Sequence, residues 1–538
     1  MTKGKVIKWS IFVLVIIALF VVYKLFWNVI EPKIENKVAR IGLNESEKAA
    51  NGPIPGDVSL YQKEWDCCQR LQMPGYLKGL NTAEIANGER SGVFPCATFT
   101  GSFTEPNQVY AWRSADDYEG CSYINNKRPG ELYVVGGDFP PYEGSVPAGP
   151  FVAKCDAATG EQIWRTYLDN ANVSGRWIGN ANLNFHENGL LLFAWSNQIV
   201  QIDPETGLVL KTNTLPPGPT PPENVNYKHL TIAPDGTVIM KCQTRPIGSK
   251  GQGTVAIIRG VMDGLKQTNS NLVAVDPNTL DILDQLALEE PATAPHMIAM
   301  YKDKIAIYIP ADKKVYRYFW DPVSKKLSKD SWEVNAMEEG QTAAACPSVI
   351  GDWIAIQTNG VGSDVKASSL VVVHVDDATR KNVIFPFGQL KKDEWSFAMP
   401  KPITDLDNNI VYSADMGMKK VAGINLNQET GELKIKFIVD DITTTFQPLI
   451  GPKDKRVLLL TNMKQNVDME SIKTAFFTDN YKEQLTWRDA STGKILAESA
   501  FMEPLIPNGL TTPGYGGRVY FPTNSGFYIL QAMPKREP

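Results

Sequence analysis

The stretch Asn508-Gly-Leu-Thr-Thr-Pro-Gly-Tyr-Gly-Gly-Arg-Val-Tyr-Phe-Pro-Thr-Asn-Ser-Gly-Phe-Tyr-Ile-Leu-Gln531 reads as three short strands. A polar strand ends at Gly516-Gly517, a second runs from Arg518 to Thr523, and a third from Phe527 to Gln531. Gly and Asn stand in the turns, where positive φ is cheap. A three-stranded sheet cannot bury its own face, so this stretch is one copy of a repeated unit.

The same kind of unit recurs upstream. From about residue 91 onward, short apolar or alternating runs are separated by Gly, Asn, Asp and Pro, with no helical periodicity of useful length. The clearest marks are turns of one type: Asp156-Ala-Ala-Thr159-Gly160-Glu-Gln-Ile-Trp164, Asp203-Pro-Glu-Thr206-Gly207 and Asp489-Ala-Ser-Thr492-Gly493. Weaker copies are Asp276-Pro-Asn-Thr279-Leu and Asn427-Gln-Glu-Thr430-Gly431. An Asp side chain accepts turn amides and Gly takes the left-handed position. Opening strands align near Ser91, Arg176, Tyr227, Ala294, Gln341, Phe397, Thr443 and Asn508. These starts are spaced by about 45 to 85 residues, which suits four-stranded blades with loops of variable length. The last unit holds three strands, and residues 57–65 are expected to supply the fourth and close the ring.

Composition bounds the rest. Of 538 residues, 43% are hydrophobic and 21% charged, as in ordinary globular proteins. The net charge of −5 offers no broad basic face for nucleic acid. Seven cysteines are present, and Cys67, Cys68, Cys96, Cys121 and Cys155 all precede residue 160. In an exported chain this favours about one to three disulfides near the N-terminal side, with Cys67, Cys68, Cys96 and Cys121 as candidates. No Cys-x-x-Cys-His or Cys-x-x-Cys occurs, which argues against a c-type haem and a zinc ribbon.

Residues 1–8 carry Lys3, Lys5 and Lys8, and residues 9–30 are apolar apart from Lys24. That length spans a bilayer, with Trp9, Tyr23 and Trp27 at the interfaces. No small-residue cleavage site follows, so the segment reads as a transmembrane signal anchor. The leading lysines keep residues 1–8 in the cytoplasm. Residues 31–56 form a stalk, and residues 57–535 the propeller domain. The expected location is a bacterial inner membrane, single-pass, with the propeller in the periplasm.

The Thr-Pro strand, the Gly-Arg-Val-Tyr strand, the Asn-containing turn and the closing strand together resemble the quinoprotein-type (PQQ-repeat) β-propeller. The Asp-x-x-Thr-Gly-x-x-x-Trp run at Asp156 to Trp164 resembles that family's tryptophan-docking motif, and the other turns lack the Trp. The resemblance covers about residues 90–535. It implies an all-β, eight-bladed, quinoprotein alcohol dehydrogenase-like propeller, preceded here by the transmembrane helix. It further implies pyrroloquinoline quinone (PQQ) and calcium at the funnel mouth, and an oxidoreductase acting on an alcohol or related small molecule. Several enzymes of the family carry a disulfide between adjacent cysteines against the quinone, and Cys67-Cys68 is an adjacent pair, though placed ahead of the first blade.

At a funnel mouth, strand starts from different blades meet. Here they offer Arg176, Trp177, Lys228, His229, His296, Gln341, Thr342, Trp395, Lys401, Thr444, Asn508 and Thr511. An anionic cofactor would use Arg176, Lys228 and Lys401, and a planar ring would use Trp177 or Trp395. His229 and His296, two of only four histidines, fall at matching places in neighbouring units. They are the catalytic candidates, against the plainer reading of histidines satisfied inside a strand layer. Asp405-Leu-Asp407-Asn-Asn409 and Asp440-Asp441 are acidic clusters, and the first falls where a strand-to-strand turn is expected, so it reads as a solvated turn rather than a calcium site. Two other functions suit the same fold: a non-catalytic scaffold or assembly factor that binds a partner protein, and a quinone-free periplasmic hydrolase. Gly-x-Ser-x-Gly and Ser-x-x-Lys in a suitable context are missing, which weakens the latter.

Overall fold

The computed structural model describes residues 53–137, 149–168, 183–227, 229–249, 257, 260–261, 263–343, 346–360, 366–392, 394–398, 401–444, 448–463, 482–505 and 509–535. The expected anchor at residues 9–30 lies outside these. Among the described residues no helix is long and apolar enough to cross a membrane.

Strand order follows from period-two patterning cut by turns. Blade one is Tyr123–Asn125, Glu131–Gly136, Phe151–Asp156 and Gln162–Tyr167, paired antiparallel in sequence order. Blades two to four open with Leu183–Phe185, Leu230–Ile232 and Met297–Tyr301 and repeat that order. Blade five opens with Ser348–Ile350 and carries a second inner strand, Gln341–Ala343, on the same neighbour. Blades six and seven open with Ile403–Asp405 and Leu449–Ile450. Blade eight is Thr512–Pro513, Arg518–Pro522 and Phe527–Pro534. The result is an eight-bladed, all-β propeller.

The five turns fold as their sequence dictates. Asp156 Oδ1 accepts the Ala158 and Thr159 amides at 2.8 Å each, and Asp203, Asp276, Asn427 and Asp489 accept the equivalent pairs. In the four turns where a glycine follows the Thr, that glycine has a second reason to be Gly. A Cβ on Gly207 would stand 2.6 Å from the Trp164 ring, so blade one's tryptophan docks on blade two's turn. Blade two's Glu205 is clamped in the same seam by two buried lysines, Lys127 at 2.5 Å and Lys154 at 2.6 Å.

Two expectations are corrected. Blade eight is closed by Asn107–Arg113, which pairs antiparallel with Phe527–Pro534 from Asn107↔Pro534 to Arg113↔Tyr528. Residues 57–65 do reach that blade, but as a short 3-10 turn, Val58–Leu60, running into a helix, Tyr61–Arg70. The helix carries Gln, Lys, Glu and Arg and no β-branched residue, and its Glu64 accepts the Gly516 amide at 2.6 Å. The run at Ser91 opens no blade: Val93–Phe94 lies parallel to Leu449–Ile450 as an extra innermost strand of blade seven. The disulfide expected among Cys67, Cys68, Cys96 and Cys121 is present as Cys67–Cys96. Cys68 and Cys121 are buried outside that disulfide.

Candidate functional site

The centre of the ring is occupied by the chain itself. Residues 75–97 wind round the axis and hydrogen-bond to all eight blades. Leu80 N donates to Tyr515 Oη of blade eight (3.1 Å), and Asn81 exchanges backbone bonds with Asn126 of blade one. Glu84 N donates to Asn184 of blade two (2.6 Å), and Ile232 N of blade three to Tyr76 Oη (2.8 Å). The carbonyls of Gly88, Ser91 and Gly92 accept from Ile298, Thr404 and Leu449 of blades four, six and seven. The Arg90 carbonyl accepts from Ser348 of blade five (2.8 Å). The segment is aperiodic and rich in small residues, Ala83, Ala86, Gly88, Ser91 and Gly92, which fit a narrow axis. Ile85, Ala86 and Arg90 hold positive φ of 58°, 76° and 55°, a costly conformation for side chains that carry a Cβ.

A buried charge cluster sits on this plug. Arg90 Nη1 lies 2.9 Å from Glu84 Oε1, and His229 Nδ1 lies 3.1 Å from the same oxygen. Arg90 Nε donates to the His296 carbonyl at 2.8 Å. His296 Nε2 faces the Ile239 carbonyl at 3.1 Å and Thr231 Oγ1 at 2.7 Å, which makes Nε2 the protonated nitrogen. Lys401 Nζ donates to the Arg90 carbonyl, to Ser348 Oγ at 2.9 Å and to the Pro402 carbonyl at 3.1 Å. Burial penalises the Glu84 charge, but Arg90 and His229 outweigh it and hold the carboxyl well below the usual range. Burial, with Arg90 adding to it, pushes Lys401 down to about 7. Burial and the neighbouring positive charges keep His296 neutral.

A second buried acid lies at blade seven. Glu483 accepts from Thr444 Oγ1 at 2.5 Å and from the Leu505 amide at 2.9 Å, and its backbone bridges to Met502. Burial pushes its carboxyl up to about 7 against these hydrogen bonds.

The sequence-derived candidates separate as follows. His229 and His296 each stand one residue before an innermost strand, and with Lys401 they meet at the axis. Gln341 is spent locally, donating to the Ala367 carbonyl (2.9 Å) and accepting from the Glu338 amide (3.0 Å). Thr342 is half-buried in a small cleft between blades four and five, with Gln267, Thr293 and Asp312. Trp395 is half-buried beside Phe397, Met416 and Ile442. Thr511 is buried under blade eight. Arg176, Trp177, Lys228 and Asn508 lie outside the described residues. Sequence reasoning missed Glu84 and Arg90, which belong to no repeat. Their one signal is a Glu and an Arg set among small residues with no strand periodicity.

Four of the expected PQQ-binding residues, Arg176, Trp177, Lys228 and Asn508, lie outside the described residues, and of the others Lys401 and Gln341 are engaged by the chain itself. The Lys401 ammonium is already met by three oxygens of the chain and Gln341 by its own loop, while Arg90 pairs with Glu84 and a carbonyl and leaves Nη2 without a hydrogen-bond partner among the described residues. Asp407 is held by Arg456 at 2.6 Å and Asp441 by Arg488 at 2.8 Å, so both acidic runs are paired with arginine. Among the described residues no group of three His, Cys, Asp or Glu side chains is placed to hold a metal ion.

No family model matches the chain, and no curated protein matches it. Solved structures do. Quinohemoprotein alcohol dehydrogenase from Comamonas testosteroni superposes with a TM-score of 0.52 at 10% identity, covering 89% of this chain and 85% of that one. The fold is the quinoprotein-type propeller. BamB from Moraxella catarrhalis gives a TM-score of 0.45 at 13% identity, over 80% of this chain and 97% of its own. Sqt1 from Saccharomyces cerevisiae gives 0.48 at 9%, over 79% and 100%. At such identities the likeness is one of architecture, so the quinoprotein-type propeller says where a site would be, and the residues must say what it does.

Proposed function

We propose that this chain is a non-catalytic propeller that holds a partner protein, anchored to a bacterial inner membrane by residues 9–30 with the propeller in the periplasm. The observation that carries the reading is the occupied axis. Residues 75–97 fill the place where a funnel ligand would sit, and they engage His229 and Lys401 of the expected funnel residues. The Cys67–Cys96 disulfide supports an oxidising compartment on the propeller's side. Apolar segment 9–30, headed by Lys3, Lys5 and Lys8, supports the anchor and its orientation. The alternative with the family's chemistry, an alcohol-oxidising quinoprotein, has the fold likeness in its favour and the filled axis against it.

Two measurements test this. The full chain is incubated with PQQ and calcium, freed of excess cofactor, and assayed for retained absorbance and for dye reduction with alcohols. The expected result is neither signal, and retained cofactor with dye reduction would overturn the reading. In cross-linking from native membranes, one same partner is expected with the wild type and with the axial variant His229→Ala. Loss of that partner in His229→Ala would move the binding site into the channel.

A further inference from the structure

The plug is a strap clipped at its base. Cys67 and Cys96, 29 residues apart, close a covalent loop that contains nearly all of residues 75–97. Three of its residues are held at positive φ, so the bound conformation stores backbone strain. Its one buried carboxylate, Glu84, answers a crowd of basic groups: Arg90 on the strap itself and, from other elements, His229 and Lys241 on blade three, His296 at blade four, and Lys401 at blade six. Tyr76 on the strap, Tyr123 on blade one and Cys346 at blade five complete the titratable groups around it. His296 Nδ1 has no hydrogen-bond partner among the described residues, so a proton added there finds no acceptor and stands beside Arg90.

We infer that residues 75–97 form a strap that acid releases from the propeller axis, while the Cys67–Cys96 bond keeps both of its ends on the ring. This goes beyond the partner-binding reading and does not depend on it. The direction follows from proton counting. In the bound state His296 stays neutral. With the strap withdrawn it faces water and takes a proton from its ordinary value of 6.5 downward. The released form then approaches a tenfold gain in population per pH unit below that value, about 50-fold between pH 6.5 and 4.5. Lys401 acts with the same sign at higher pH. It is neutral above about 7 when the strap is bound, against 10.5 when free, so closure strengthens as pH rises through that window. Glu84 joins only below its ordinary value of 4.5. Two groups pull the other way. His229 faces the Glu84 carboxylate, and when protonated it favours the bound strap. Glu89 is exposed but walled in, which raises its carboxyl.

The test is amide hydrogen exchange of the full chain, read by mass spectrometry and corrected for intrinsic chemistry, from pH 8 to 4.5. Peptides from residues 75–97 are expected to exchange about 50-fold faster at pH 4.5 than at 6.5, while the blade-five strand Leu370–His374 keeps its protection. In His296→Gln the amide still donates to the Ile239 carbonyl but cannot titrate, and the acid limb should vanish. In His229→Gln it should steepen. Exchange in residues 75–97 that is flat with pH, or acceleration shared equally by all blades, overturns the proposal. So does an acid limb that survives in His296→Gln. Should that variant not fold, the wild-type profile still decides between local release, global opening and no effect.

Discussion

Replacing Arg90 by Met lowers the stability of the propeller by about 4 kcal/mol, seen as a fall in the urea midpoint with an unchanged slope. The guanidinium is fully buried and makes two distinct bonds, to Glu84 and to the His296 carbonyl. Removing it strands the Glu84 carboxylate in a dry interior with His229 as its remaining side-chain contact at hydrogen-bond distance, and an uncompensated buried charge is among the largest single costs available to a point variant. The double variant Glu84→Gln/Arg90→Met should therefore be more stable than Arg90→Met alone, because the stranded charge is gone. Arg90→Lys should rescue little. A single ammonium cannot span both the carboxylate and the carbonyl, as the fork of the guanidinium does. A loss under about 1 kcal/mol for Arg90→Met, or a double variant worse than the single one, would show that the axis is not organised around this pair.

The difference between what could be read from the chain and what could not lies in sequence distance. The Asp-Thr-Gly turns are written within five residues, so Asp156, Asp203 and Asp489 announce their turns at sight. The Asp276 turn survives the replacement of glycine by Leu280, which adopts φ 64° and is fully buried, so packing outweighs the local preference there. The eight repeats follow from these turns and from strand periodicity. Ring closure is another matter. Asn107–Arg113 and Phe527–Pro534 lie some four hundred residues apart, and no local rule distinguishes that partner from residues 57–65. The charged and polar run around Glu64 even contacts the predicted blade, through Gly516, but as a helix.

The axial strap was illegible for a related reason. It binds the blades chiefly through backbone groups and through Glu84 and Arg90, so it has neither the period of a strand nor that of a helix. The matched positions of His229 and His296 could be seen because they ride on the repeat. What they face could not, because their partners come from outside it. A polar funnel inferred from strand starts is thus half of a site, and the other half here is the protein's own chain.

The last prediction concerns Glu483. Its carboxyl titrates near 7 in the folded protein and near 4.5 when unfolded, so the native state holds an extra proton between those values. The stabilisation this brings is complete below pH 4.5, drains away as pH rises and is lost above about 7. Wild-type stability should fall by about 3 kcal/mol across that window from this residue. Glu483→Gln keeps an oxygen for the Leu505 amide and an amide group for Thr444, and it removes the titration. The variant should match the wild type at pH 4.5 and exceed it by about 3 kcal/mol at pH 8 in urea unfolding. Lys401 supplies the opposite slope above 7, where the unfolded chain holds the extra proton. The two groups together place a stability minimum near neutral pH. Glu483→Gln should erase the acid side of that minimum and leave its alkaline side, whereas parallel curves for variant and wild type would mean that the carboxyl stays ionised in its pocket and that Thr444 and the Leu505 amide suffice to hold its charge.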